Sequence, residues 1–120
     1  VRIYRDTSAS SATVGQFYYG IYHSLIVAPA TSNAVAKFGY GISDDFISNV
    51  FAHAGKSRAT IIVFACDTAP EFQTEAHKGI VKVYPRPIDL ENRERLERFA
   101  DVTTVDSSVE LQEAIAQRRS

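Results

Sequence analysis

A chain of 120 residues with 45% hydrophobic side chains and a formal net charge of −1 is long enough to bury one core and too short for two domains. Its basic residues are scattered, which excludes the electrostatic footprint of a nucleic-acid or anionic-membrane binder, and no apolar run approaches the roughly eighteen residues of a membrane span. The single cysteine, Cys66, excludes an internal disulfide, and beside it only His23, His53 and His77 occur, without the clustered spacing of a zinc site.

The N-terminus, VRIYRDTSASS, lacks the basic start and apolar middle of a signal peptide, so a cytoplasmic location is expected. No methionine occurs anywhere; Val1 is therefore not expected to be an unprocessed start, and the chain is expected to be a fragment or its numbering to omit an earlier segment. Residues 1–4 read as a short strand, followed by a Ser- and Thr-rich loop unsuited to a helix interior. Residues 17–23, FYYGIYH, lead into SLIVA, residues 24–28, an apolar run that reads as buried on both faces and so as a central parallel strand, ended by Pro29.

Small and polar residues follow. Ala30, Thr31, Ser32 and Asn33 leave the backbone open to a ligand, and their hydroxyls, amide and helix N-terminal N–H groups suit an anion or a polar ring edge. The plain alternative is that Thr31, Ser32 or Asn33 caps a helix over residues 34–40. Ser43 or Asp44 is expected to cap a second helix, with Phe46, Ile47, Val50, Phe51 and Ala54 on its core face and Gly55 closing it. TIIVFA, residues 60–65, is a second central strand, and residues 66–79 read as an irregular loop containing Pro70.

IVKVY, residues 80–84, makes a short strand. Residues 90–99 then form a charged helix whose Glu91–Arg95 and Glu94–Arg98 pairs mark a solvated face. VTTV, residues 102–105, is a last small strand, and Ser107 or Ser108 caps a helix over residues 109–118 that ends in the basic pair its dipole favours. The alternation gives an α/β three-layer sandwich with a mostly parallel sheet, in a single domain over residues 1–120.

Open parallel sheets bind ligands at the carboxyl edge of their strands. That edge should gather the turn after Pro29 together with Cys66 and Asp67. Asn33 stands out because its amide donates and accepts at once. Asp67 either accepts from a ring N–H or caps its loop; Ser10 and Ser11, in the SASS loop, either face the pocket or form an ordinary turn. Lys37 and Asp44 are explained as well by packing and capping at a subunit contact as by ligand binding. Cys66 follows a buried strand with no neighbouring His and is not expected to react. Gly39 and Gly41 lie within the helical region and make no dinucleotide fingerprint, and GxSxG, GxxxxGK[ST] and HExxH motifs are all absent.

The turn from Pro29 to Ala34 resembles the P-A-[ST]-x-N-[TA] motif of the FMN-binding flavoproteins that include the flavin-containing cysteine decarboxylases. The likeness continues through Ala36, Lys37, Gly41, Ile42, Asp44 and Asn49, which fit the family's A-K-x-x-x-G-I-x-D-x-x-x-x-N continuation. FGYGISDDFISN and the tail KGIVKVYPRPIDLENRERLERF look most like the branch with archaeal-type flavoproteins and dihydromethanopterin reductase. The resemblance implies a flavodoxin-like or Rossmann-like fold that opens with a strand, phosphate turn and helix not visible here, so that this chain would be the C-terminal larger part of the domain. It also implies FMN held by Pro29, Ala30, Thr31, Ser32, Asn33 and Ala34, with Asp67, Ser10 and Ser11 as further contacts, and Asn33 as the catalytic residue.

The function so implied is an FMN-dependent oxidoreductase that reduces a dihydropterin, dihydromethanopterin to its tetrahydro form, by hydride from reduced flavin. A flavin electron carrier would share every motif. A cysteine-type decarboxylase fits less well, because those enzymes carry a catalytic His in an H-I-x-L context upstream of the turn and the matching position here is Gly15, in VGQF. The related decarboxylases place the flavin at subunit contacts, which implies a homo-oligomer built from trimers; the aromatics Phe17, Tyr18, Tyr19 and Tyr22 are compatible with such a contact. The electron donor is left open.

Overall fold

Three aliphatic and β-branched runs pair side by side and set the frame. A computed structural model of the chain describes residues 24–66, 72–76 and 79–119. In it, β1 (Ser24–Ala30), β2 (Thr60–Ala65) and β5 (Val102–Val105) form a parallel sheet in the order β1-β2-β5. Between them lie α1 (Ser32–Tyr40), α2 (Phe46–Lys56), the strands β3 (Phe72–Ala76) and β4 (Gly79–Val83), and α3 (Pro87–Glu97); α4 (Ser108–Arg119) closes the described chain.

Alternation along β2 supplies two buried faces. Ile61, Val63 and Ala65 belong to one core cluster with Val35 and Phe38 of α1, Phe46, Val50, Phe51 and Ala54 of α2, and Leu96 of α3. Ile62 is just as buried but stands outside that cluster, on the face left to α4, which packs on β2 and β5. Helices therefore cover the sheet from both sides, and the α/β class and parallel sheet expected from the sequence are borne out. Phe38 and Phe51 stack face to face at 4.2 Å between centroids, fixing α1 against α2.

Several local expectations are corrected. Pro29 does not end β1: the strand runs through a cis Ala28–Pro29 peptide to Ala30, which pairs with Ala65 after a register shift. Among the described residues β1 is the terminal strand of the order β1-β2-β5, the kind of position where a proline is tolerated in a sheet. Residues 66–79 are not all irregular, since β3 pairs antiparallel with β4 in a separate two-stranded sheet, Phe72 opposite Val83 and Ala76 opposite Gly79. The charged helix begins at Pro87 instead of Leu90, with proline in the first turn where no N–H is needed. Arg95 turns from Glu91 to Asn92 Oδ1, 2.8 Å away, and lies over the Tyr40 ring.

Helix ends follow two versions of one motif. In α1, Gly41 adopts φ 73°, and the Ile42 N–H donates to Lys37 O while that of Gly41 donates to Phe38 O. Gly55 does not close α2. The left-handed residue there is Arg58, φ 57°, with the Ala59 N–H on Ala54 O and its own N–H on Gly55 O. Both are Schellman closures. The last helix is capped by Ser107, whose Oγ accepts from the Glu110 N–H.

Candidate functional site

The pairing of Ala30 with Ala65 brings the ends of β1 and β2 together. Ala30 and Ala65 are both buried, and the Cys66 thiol donates to Ala30 O across 3.6 Å. The turn after β1 and the segment after β2 thus share one carboxyl edge. Asp67, Ser10 and Ser11 lie outside the described residues, as do Gly15 and the aromatic stretch of residues 17–23.

From Ala30 the chain turns directly into α1. Thr31 is the cap: its backbone is extended and its Oγ1 accepts from the Ala34 N–H at 3.2 Å, while its carbonyl accepts from the Val35 N–H. Of the three residues that the sequence offered as caps, only Thr31 is occupied this way. Asn33 is exposed on the first turn, and its amide has no partner among the described residues. The Ser32 and Asn33 N–H groups point out of the helix N-terminus, where the dipole favours negative charge. Pro29 and Thr31 are exposed and Ser32 and Ala34 half-buried around the buried Ala30. With no bulky side chain between Pro29 and Val35, a planar ring or a phosphate could approach the backbone closely; this donor set fits the polar edge of a flavin.

Behind the turn, α1 is locked to α2 by charge. Lys37 Nζ lies 2.9 Å from Asp44 Oδ1 and 2.9 Å from Asp45 Oδ2. Asp45, and neither Ser43 nor Asp44, caps α2: its carboxylate accepts from the Ser48 N–H, and the Ser48 hydroxyl accepts in return from the Asp44 and Asp45 N–H groups. The Lys37 ammonium and then Ser48 hold the Asp45 carboxyl down to about 2, and the two carboxylates raise Lys37 above its ordinary value. These residues act on the turn through the helix they fix.

One polar pair was not anticipated from the sequence. Arg86 contacts the carboxylate of buried Asp89 with its guanidinium at 2.8 Å and its own N–H at 2.9 Å. The Arg86 guanidinium keeps Asp89 below the usual carboxylate range despite burial. The spacing Arg-Pro-x-Asp, with proline at the first helical position, was the signal that could have found it.

No helix among the described residues is long and apolar enough to cross a membrane. The chain is 35% identical over 104 residues to an uncharacterized protein of Methanocaldococcus jannaschii, a match covering 85% of this chain and 56% of that protein. It is 40% identical over 67 residues to the dihydromethanopterin reductase (acceptor) of Methanosarcina mazei, covering 54% of this chain and 28% of the reductase. Among solved structures, Burkholderia xenovorans DmrB in complex with FMN, described as a cubic protein cage for redox transfer, superposes with a TM-score of 0.85 at 47% identity over 98% of this chain and 65% of that one. Its apo form gives 0.82 at 48% identity, over 98% and 64%. The chain thus spans about half of the first curated relative and about two thirds of DmrB. The sequence profile described as Flavoprotein matches residues 1–118, and the chain belongs to the flavoprotein family.

Proposed function

We propose that this chain binds FMN at the carboxyl edge of its sheet, and that the protein is an oxidoreductase reducing a dihydropterin, dihydromethanopterin to tetrahydromethanopterin. The observation that carries the reading is the open turn from Pro29 to Ala34, with the Asn33 amide unpaired, on a chain 47% identical over 98% of its length to a structure holding FMN. Reduced FMN, when bound, supplies the hydride. The protein's part is placement. Asn33 donates to and accepts from the ring edge or the substrate and is the residue proposed as catalytic; Thr31 and Ser32 flank the ring; Pro29, Ala30 and Ala34 keep the approach clear. Asp67, Ser10 and Ser11 complete the proposed contacts.

Dihydropterin as the substrate class is supported by the Methanosarcina mazei relative, a dihydromethanopterin reductase (acceptor). A second reading, electron transfer without a pterin, is supported by the description of DmrB as a cage for redox transfer. We further infer a homo-oligomer built from trimers with the flavin at subunit contacts, and a cytoplasmic setting. The test is reconstitution with FMN followed by an assay of dihydromethanopterin reduction with chemically reduced flavin. Flavin uptake and pterin turnover support the reductase; uptake with electron transfer but no pterin turnover supports the carrier; no uptake ends both.

A further inference from the structure

Helix packing brings a charged group to the same carboxyl edge as the turn after β1. From Thr31, α1 descends to the other end of the sheet, where Phe38 and Gly41 line one concavity with Ile61 and Val102 at the starts of β2 and β5. Two side-chain contacts show that α3 runs antiparallel to β5. Arg93 Nη1 meets Asp106 Oδ2 at 2.8 Å just past the strand's end, and Thr104 Oγ1 donates to Glu97 Oε1 at 3.0 Å further down. The two helices therefore run side by side in one direction. At Gly39 they are close enough that an added Cβ would lie 3.5 Å from Asn92 O and 3.5 Å from Arg95 Cδ. Arg86, roughly two turns or about 10 Å before Arg93, stands beyond the carboxyl end of β5, as Thr31 and Asn33 stand beyond that of β1.

Asp89 decides where the Arg86 side chain lies. Asp89, Asn92 and Leu96 are the buried residues of α3 and follow one helical stripe, with Leu96 in the core beside Phe38. Asp89 continues that inward stripe to the carboxyl edge and draws the guanidinium to the same side. It holds one edge only: Nε donates to Oδ2 at 3.1 Å and Nη2 to Oδ1 at 2.8 Å. The Nη1 edge has no partner among the described residues, and the Arg86 side chain is 70% exposed against 7% for Asp89. A guanidinium presents paired N–H groups that match a carboxylate or a phosphate. Asp89 occupies one such fork and fixes the direction of the other.

We propose that Arg86 is a ligand-binding residue of the flavin site, its free guanidinium edge recognising a phosphate or carboxylate of a bound molecule, with Asp89 as its positioning residue. The inference rests on the FMN reading given above and adds a group that the turn lacks, since no side chain from Pro29 to Ala34 carries a charge. FMN offers its phosphate, and the pterin substrate offers any acid group it carries. Either would be met by the same paired N–H···O geometry.

Affinities measured on the full protein separate the two sources. Wild type and Arg86→Gln are titrated with FMN and with riboflavin, which lacks the phosphate, and the KM for dihydromethanopterin is measured with FMN saturating. With the FMN phosphate as the anion, Arg86→Gln is expected to lose about tenfold or more in FMN affinity and little in riboflavin affinity. With an acid group of the substrate as the anion, both flavin affinities hold and KM rises by about tenfold or more, with kcat less affected. Arg86→Lys keeps a cation against Asp89 without the planar fork; it is expected to fold as the wild type does and to show the same selective loss, at about threefold or more. Equal losses of FMN and riboflavin with KM unchanged, or no change in any of the three, overturn the proposal and leave Arg86 as the partner of Asp89 alone. A wild type that takes up no flavin ends the FMN reading and this inference with it. A wild type that takes up FMN but turns over no pterin ends only the substrate reading, and the ratio of FMN to riboflavin affinity then decides Arg86 by itself.

Discussion

Ala30 and Ala65 face each other as the last pair of the β1–β2 ladder, and neither leaves room for a larger side chain: they are 1% and 0% exposed. Their smallness lets β1 pass through Pro29 and still deliver Thr31 to the start of α1. Ala30→Leu is expected to cost about 1–3 kcal/mol by overpacking, and to weaken FMN binding by displacing the turn. Urea unfolding and flavin titration check this together; unchanged stability would mean that the turn is not held by this pair.

Lys37 is expected to make α2 docking depend on pH. The Asp45 carboxyl is depressed from 3.8 to about 2, so its contribution is complete above about 3.8 and is lost as pH falls toward 2. The stability gap between wild type and Lys37→Met should then be widest near neutrality and close in strong acid. Both groups are partly exposed, and salt should narrow the gap too. A gap that persists unchanged at low pH would assign Lys37 a packing role alone.

The two Schellman closures give opposite expectations. At Gly41, φ 73° and empty space around a built Cβ mean that only backbone strain opposes a side chain, so Gly41→Ala should destabilise by about 1 kcal/mol. At Arg58, φ 57°, the same strain is already present, and Arg58→Gly should stabilise by a similar amount. Thermal melts of the pair decide it, and effects of equal sign would contradict the motif assignment.

Asp89 is expected to matter more than its place on a charged helix suggests. Its buried carboxylate accepts from the Arg86 N–H and guanidinium, and Asp89→Ala should cost about 1.5–3 kcal/mol. Asp89→Asn, which keeps an acceptor for the backbone, should cost less. Equal losses for both would locate the effect in charge instead of capping.

What the sequence displayed was where the strands lie: SLIVA, TIIVFA and VTTV each became a strand of the parallel sheet, which placed the turn after β1 at the carboxyl edge. Burial on both faces was expected of SLIVA but is seen only in TIIVFA; in β1, Val27 and Ala30 are buried and Ile26 is 44% exposed. The cap of α2 was ambiguous because Ser43, Asp44 and Asp45 are all capable; only the reciprocal bonds of Ser48 select Asp45. The β3–β4 pair was hidden because FQTEA is polar and, among the described residues, its strand pairs with β4 alone. The α2 end was misplaced because glycine was assumed to take the left-handed position that Arg58 occupies. The flavin itself was legible only through resemblance, since the donors of the turn would serve many polar ligands.

Asn33 is the residue proposed to hold the flavin edge or the substrate for hydride transfer. Asn33 is exposed and Thr31 already supplies the cap, so Asn33→Ala should fold as the wild type does. The deciding measurement is dihydromethanopterin reduction by the FMN-loaded variant, with flavin occupancy read beside the rate. A loss of tenfold or more is expected, about 1.4 kcal/mol of transition-state stabilisation, through weaker flavin binding or slower transfer. Full occupancy with unchanged turnover would contradict it and leave the turn as a helix start and nothing more.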